Sequence, residues 1–179
     1  MVNFPELQKD ISEEISIILA SDFNIGVTKT AYVPHSDDGA ITFPNLDKKI
    51  QGTKFIETTV LYVDMRRSTE LSMKHRSHTV AKLYSAFVRG MTRCAAAFDG
   101  EVRGIIGDRI MILFNSENCF ENAVDTAKLI NSVCLYIINQ HFKHNEVKFG
   151  IGIDYGTMLA TKTGVAKRGS AQQSYKSLV

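Results

Sequence analysis

Two aspartates, Asp64 and Asp108, carry the strongest chemical signal in this sequence. Asp64 ends the run Thr58-Thr59-Val60-Leu61-Tyr62-Val63, whose β-branched and aromatic residues read as a strand. Met65-Arg66-Arg67-Ser68-Thr69 follows it, offering backbone N–H groups, two guanidinium groups and two hydroxyls just before a helix begins. That is the chemistry of an anion site beside a metal ligand. Asp108 lies in Gly107-Asp108, between short strand-like stretches at 101–106 and 109–114, where a tight hairpin turn belongs. A carboxylate at a strand end and another at a hairpin tip can converge on divalent cations that hold a polyphosphate. Each signal alone has a plainer reading: a lone strand-end aspartate commonly forms a turn, and Ser68 or Thr69 could cap the next helix with Glu70 in its first turn. His75 and His78 have no thiol or carboxylate partner at ligand spacing and read as a solvated helix start. His141 and His144 read as cations favoured at a helix C-terminus.

The elements that must position this pair follow from periodicity. The run from Thr58 to Val63 is apolar enough to predict a central strand covered on both faces. Phe4, Leu7, Ile11, Ile15, Ile18 and Leu19 recur at three- and four-residue steps, so residues 5–21 should form an amphipathic helix packed on the domain or on a second copy. Residues 22–52 lose that pattern, with a loop at Pro34-His35-Ser36-Asp37-Asp38-Gly39 and an edge strand at 27–33. A stripe of Val80, Leu83, Tyr84, Phe87, Val88, Met91, Ala95 and Phe98 predicts a core-facing helix that ends at Asp99-Gly100, with the glycine as its left-handed cap. In the hairpin, alternation puts Val102, Gly104 and Ile106 on one side and Glu101, Arg103 and Ile105 on the other. A second long helix runs from Phe120 to Ile138 with Asn115-Ser116-Glu117 as its start signal. A strand at 147–153 contains Gly150 and Gly152 with Gly156 just beyond, where backbone can approach closely or bulge. Residues 161–176 are polar and read as a mobile loop, and Ser177-Leu178-Val179 as the start of another strand.

Composition narrows the class. A chain of 179 residues, 44% apolar and 22% charged, suits one domain with a real core. A net charge of +2 gives no global field for nucleic acid or an acidic membrane. Charges interrupt the amino-terminal helix, which is neither a signal peptide nor a membrane span. Cys94, Cys119 and Cys134 are odd in number and unpatterned, and read as core thiols of a reducing compartment, so a cytoplasmic protein is expected.

Three stretches, YVDMRRSTELS, GEVRGIIGDRIMILF and FGIGIDYG, together resemble the catalytic domain of class III nucleotidyl cyclases over residues 56–165. The resemblance implies an α+β fold with a ferredoxin-like core: a central, mainly antiparallel sheet with helices on one face, here preceded by an N-terminal helix. It divides the chain into an N-terminal helix and accessory segment at 1–55 and a catalytic domain at 56–179. It also implies that Asp64 and Asp108 are catalytic and, with the Met65 carbonyl, hold two divalent cations per site, Mn2+ or Mg2+. Met65, Arg66, Arg67, Ser68 and Thr69 would bind the triphosphate; from the residues themselves, Tyr62 could narrow the base pocket, and Arg103 either supplies a base contact or is a surface strand arginine.

Further expectations come with the family. Active sites form between two chains, so a single domain implies a homodimer acting on a nucleoside triphosphate, with no nucleic-acid or membrane partner. Purine cyclases carry a base-reading lysine where this chain has Gly104, and many relatives have His-Thr where it has Asp154-Tyr155. The first motif and the segment Ile41-Thr42-Phe43-Pro44-Asn45-Leu46-Asp47 look most similar to the antiphage pyrimidine cyclases of bacterial Pycsar systems. UTP is then the expected substrate, with CTP next and ATP as the alternative. A silent nucleotide-binding or dimerisation module of the same fold is the reading from another class. The family's later base-reading and transition-state residues would fall beyond Val179, so the chain is expected to be cut short of them.

Overall fold

Strand β2, Ile50–Arg66, is the longest strand and carries Asp64 near its end. The computed structural model describes residues 3–143, 147–164 and 176–178. These fall into two compact units, one of residues 1–30, 34–56 and 158–179 and the other of residues 31–33 and 57–157.

In the first unit, helix α1 (Phe4–Ile18) forms as its apolar spacing predicts, yet none of its residues is buried. Strand β1 (Asn24–Thr30) runs parallel to the first half of β2, from Asn24 opposite Ile50 to Thr30 opposite Ile56. The following segment folds back onto β2. Thr42 N donates to Gly52 O at 3.0 Å, Gly52 N donates to the Thr42 hydroxyl at 2.9 Å, and Ile41 is buried beneath them. A Cβ on Gly52 would lie 2.3 Å from the Ala40 carbonyl oxygen, so only glycine fits this approach. Lys54 reaches Asp38 at 2.8 Å, and that hydrogen bond holds the Asp38 carboxyl below its usual range. The end of β5 (Lys148–Lys162) pairs antiparallel with β6 (Lys176–Leu178), and Gln51 donates its amide to Lys162 O at 2.7 Å and to Thr161 Oγ1 at 2.8 Å. Thr161 and Lys162 are therefore strand rather than the loop expected from composition; residues 165–175, which make up most of that loop, lie outside the described residues. His144 lies outside them as well.

In the second unit, β3 (Gly100–Ile106), β4 (Arg109–Phe114), the second half of β2 and β5 lie side by side in that order. β2 and β4 are antiparallel, from Val60 opposite Leu113 to Asp64 opposite Arg109, and β3 and β4 form the predicted hairpin. Leu61, Val63 and Met65 alternate onto one face with Ile110, Ile112 and Phe114. There they meet Leu83, Phe87, Met91 and Cys94 of α3 (Ser77–Ala96) and Cys119, Ala123 and Ile130 of α4 (Cys119–Val133). Phe87 is fully buried and stacks on Phe149 at 5.4 Å. Each such side chain contributes about 1.5–3 kcal/mol by burial.

The sheet departs from the sequence reading on its other face. Tyr62 is 44% exposed, so β2 is buried on both faces only through Thr58–Leu61 and on one face beyond. The expected two-sided cover fails there because the helices supply only one layer. The cap after α3 also differs. Asp99 takes the left-handed conformation at φ 55°, while Gly100 is needed for space: a Cβ on it would lie 2.8 Å from Ile112 and 2.9 Å from Phe114. In β3, Val102 faces Ile112 and Gly104 faces Met111, so Arg103 is an extra, bulged residue and the expected alternation across it is lost. Asn115 and Ser116 tie neighbouring segments instead of starting a helix, Asn115 accepting from Val33 N at 2.8 Å and Ser116 donating to Glu57 O at 2.6 Å. α4 starts after Asn118, at φ 52°, and passes into a π-helical turn at Cys134–Ile138 and a last short helix α5 (Asn139–Phe142).

Candidate active site

Asp64 is carried to the open face by strand alternation, since its neighbours Val63 and Met65 are held in the core. Asp108 is delivered by the hairpin. Gly107 takes φ +61° and Asp108 a negative φ, the pattern of a two-residue turn with glycine first. The two carboxylate positions are joined through backbone: Met65 N donates to Asp108 O at 3.3 Å. One carboxylate is thus a residue before the donor of that bond and the other belongs to its acceptor.

The Asp64 carboxylate is 38% exposed and lies 3.5 Å from Arg109 Nε, its cross-strand neighbour. The Asp108 side chain makes no hydrogen bond or ion pair among the described residues. Also among the described residues, no group of three or more His, Cys, Asp or Glu side chains converges here or elsewhere. The corner therefore offers two carboxylates and main-chain carbonyls, an oxygen-only donor set. Such a set fits Mg2+ or Mn2+, which take one or two carboxylates and complete their shells with water and substrate phosphate, and does not fit a structural zinc centre.

The residues after Asp64 divide between two directions. Arg66, the last residue of β2, shares the open face with Asp64 and Tyr62. Arg67 turns the chain at φ 57° into α2 (Ser68–Lys74) and lies 3.7 Å from Glu70. Arg67 occupies the N-cap position, so neither Ser68 nor Thr69 caps the helix. Ser68 is half-buried and Thr69 exposed at its start, where the first-turn N–H groups have no intrahelical acceptor.

Tyr62, Met111 and Gly104 form one row across β2, β4 and β3, with the Tyr62 hydroxyl 3.0 Å from Met111 Sδ. Arg103 is not brought to this row. Its guanidinium donates to Val33 O at 3.4 Å and lies 3.4 Å from Glu101, toward the Asn115 end of the hairpin and away from the tip. Met111 and Arg109 were missed from sequence, although a two-residue turn at 107–108 makes the partners of Gly104 and Ile106 countable. The cavities of about 640 and 540 Å3 in this unit are lined by other residues.

The adenylate and guanylate cyclase catalytic domain model matches residues 50–170, well over half of the chain. The chain belongs to that family. Among relatives of this cyclase domain, a uridylate cyclase from Rhodovulum sp. (strain MB263) is 23% identical over 168 residues, covering 89% of this chain and 66% of that protein. A cytidylate cyclase from Staphylococcus aureus is 27% identical over 116 residues, covering 59% of this chain and 27% of that protein. The cyclase domain therefore spans at most about two thirds of the length of these relatives. A solved class III adenylyl cyclase-like ATP-binding protein from Pseudomonas aeruginosa shares the fold at a TM-score of 0.66 and 19% identity, covering 93% of this chain and 36% of that one. Among the described residues no helix of the cyclase domain is long and apolar enough to cross a membrane.

Proposed function

We propose that this cyclase domain converts a pyrimidine nucleoside triphosphate, UTP first and CTP next, to the 3′,5′-cyclic monophosphate and pyrophosphate. The observation that carries the reading is the joining of Asp64 and Asp108 at one open corner through the Met65 N–H and the Asp108 carbonyl. In the reaction the ribose 3′-oxygen bonds to the α-phosphorus and the bond to pyrophosphate breaks. Two divalent cations, Mn2+ or Mg2+, would lower the pKa of the 3′-hydroxyl and neutralise the leaving group. Asp64, Asp108 and the Met65 carbonyl would hold those cations. The main-chain N–H groups and hydroxyls of Ser68 and Thr69, with the guanidinium of Arg66 or Arg67 before them, orient the β- and γ-phosphates.

The pyrimidine preference is supported by the names of the two relatives and by the row Tyr62, Met111 and Gly104, which has no lysine at position 104 to read a purine. Arg103 remains outside this base site unless its bonds to Val33 and Glu101 are released. The uncovered sheet face that bears the row is where a second copy would complete the site, giving a homodimer. The cyclic product would act as a second messenger in antiphage defence in the cytoplasm, a role drawn from the likeness of the first motif to Pycsar cyclases. Replacing Asp64 or Asp108 by Asn should abolish Mn2+-dependent turnover, a loss of at least about 1,000-fold, with the thermal transition unchanged. Turnover retained by either variant at equal purity overturns the assignment.

A further inference from the structure

We propose that Arg66, seated on Gly150, is the arginine that receives the triphosphate's charge, and that Gly150 is its positioning residue. The inference rests on the cyclase reading above and names one group within it. Arg66 and Gly150 are neighbours across the open face of the second unit, and a Cβ built on Gly150 would lie 2.5 Å from Arg66 Nε, 2.8 Å from Nη2 and 2.9 Å from Cζ. The guanidinium therefore occupies the volume that any other residue at 150 would fill. Gly150 does not take the left-handed conformation, as Gly107 and Gly164 do, so its backbone does not call for glycine. Space for Arg66 does.

The seat holds the side chain without using its charge. Arg66 is exposed and makes no hydrogen bond or ion pair among the described residues. Its neighbours are engaged: Arg67 lies 3.7 Å from Glu70, Arg109 lies 3.5 Å from Asp64, and Arg103 is held by Glu101 and Val33 O. An arginine located by packing keeps five donors for an incoming anion and has less rotamer freedom to lose when it binds. It also stands on the same face as Asp64, two residues along β2, where phosphate oxygens bridging toward the carboxylate pair would lie.

The test compares wild type, G150A, R66A, R66K and G150A/R66A for kcat and KM with Mn2+ and UTP or CTP. Calorimetric affinity for the same triphosphates is measured alongside. G150A should keep the wild-type melting temperature, because the clash falls on the end of a flexible side chain, and should weaken triphosphate binding on the order of tenfold. R66A should show the same loss, R66K should recover part of it, and the double variant should be no weaker than R66A. G150A that binds as wild type, or a double variant that loses the product of the two single effects, overturns the proposal. Should G150A lose its melting transition, G150A/R66A must restore it, and a double variant that stays unfolded also overturns it. A wild type that binds triphosphate without forming product refutes the cyclase reading alone, since the affinities still report on Arg66.

Discussion

At the scale of single residues, the site is a matter of which side chains strand alternation leaves uncovered. Tyr62, Asp64 and Arg66 share the open face because Leu61, Val63 and Met65 are drawn into the core, so one buried stripe positions three candidate groups. Gly104 leaves ordinary contact distance to Met111, with a would-be Cβ 3.7 Å from Met111 Cβ, so the row is floored by glycine rather than blocked. Under the pyrimidine reading, Tyr62 limits the size of the base. Tyr62→Ala should then lower the ratio of kcat/KM for UTP over ATP by about tenfold or more. A ratio that does not move removes Tyr62 from base selection. Asp64 and Asp108 were legible in the sequence because a carboxylate at a strand end and one beside a turn glycine are local patterns. The seat of Arg66 on Gly150 was not, since it joins two strands 84 positions apart and leaves no periodic trace.

At the scale of elements, close backbone approach does much of the positioning. Gly52 admits the Ala40 carbonyl and Gly100 admits Ile112 and Phe114, whereas Gly152 faces open space. Gly52→Ala and Gly100→Ala should each destabilise by about 2 kcal/mol, a fall in melting temperature of about 4–8 °C for a chain of this length. Gly152→Ala should leave the transition in place, and a fall equal to the other two would refute the steric account. The helices and the hairpin could be read from period and turn chemistry, and β2 and β5 were found in part. Their full lengths, Ile50–Arg66 and Lys148–Lys162, were hidden because Lys54, Glu57 and Asp154 interrupt the apolar runs. The bulge at Arg103 was hidden for a different reason. A single extra residue in one strand is chosen by the pairing, and the arginine's own β-strand preference carries no sign of it.

At the scale of the whole molecule, the family match over residues 50–170 takes in all of the second unit from Glu57 on and parts of the first. Cys94, Cys119 and Cys134 are buried free thiols, and burial pushes Cys134 up to about 12, so they behave as packing residues as composition indicated. Two surfaces stand out as uncovered among the described residues: the apolar stripe of α1, with Phe4 at 76% exposure, and the sheet face with Tyr62. The first was legible as an amphipathic helix but not as an uncovered one, because periodicity reports a face and not its partner. The second confines the expected two-sided cover to Thr58–Leu61, with one face open from Tyr62 on. The measurement that tests the central claim most directly is mass analysis of the products formed from each of the four ribonucleoside triphosphates with Mn2+. The account predicts a 3′,5′-cyclic pyrimidine monophosphate and pyrophosphate from UTP, or from CTP at a lower rate, and neither from D64N or D108N. Triphosphate bound without cyclic product from any of the four, both by these 179 residues and by the longest available form of the protein, would contradict it and leave a nucleotide-binding module of the cyclase fold.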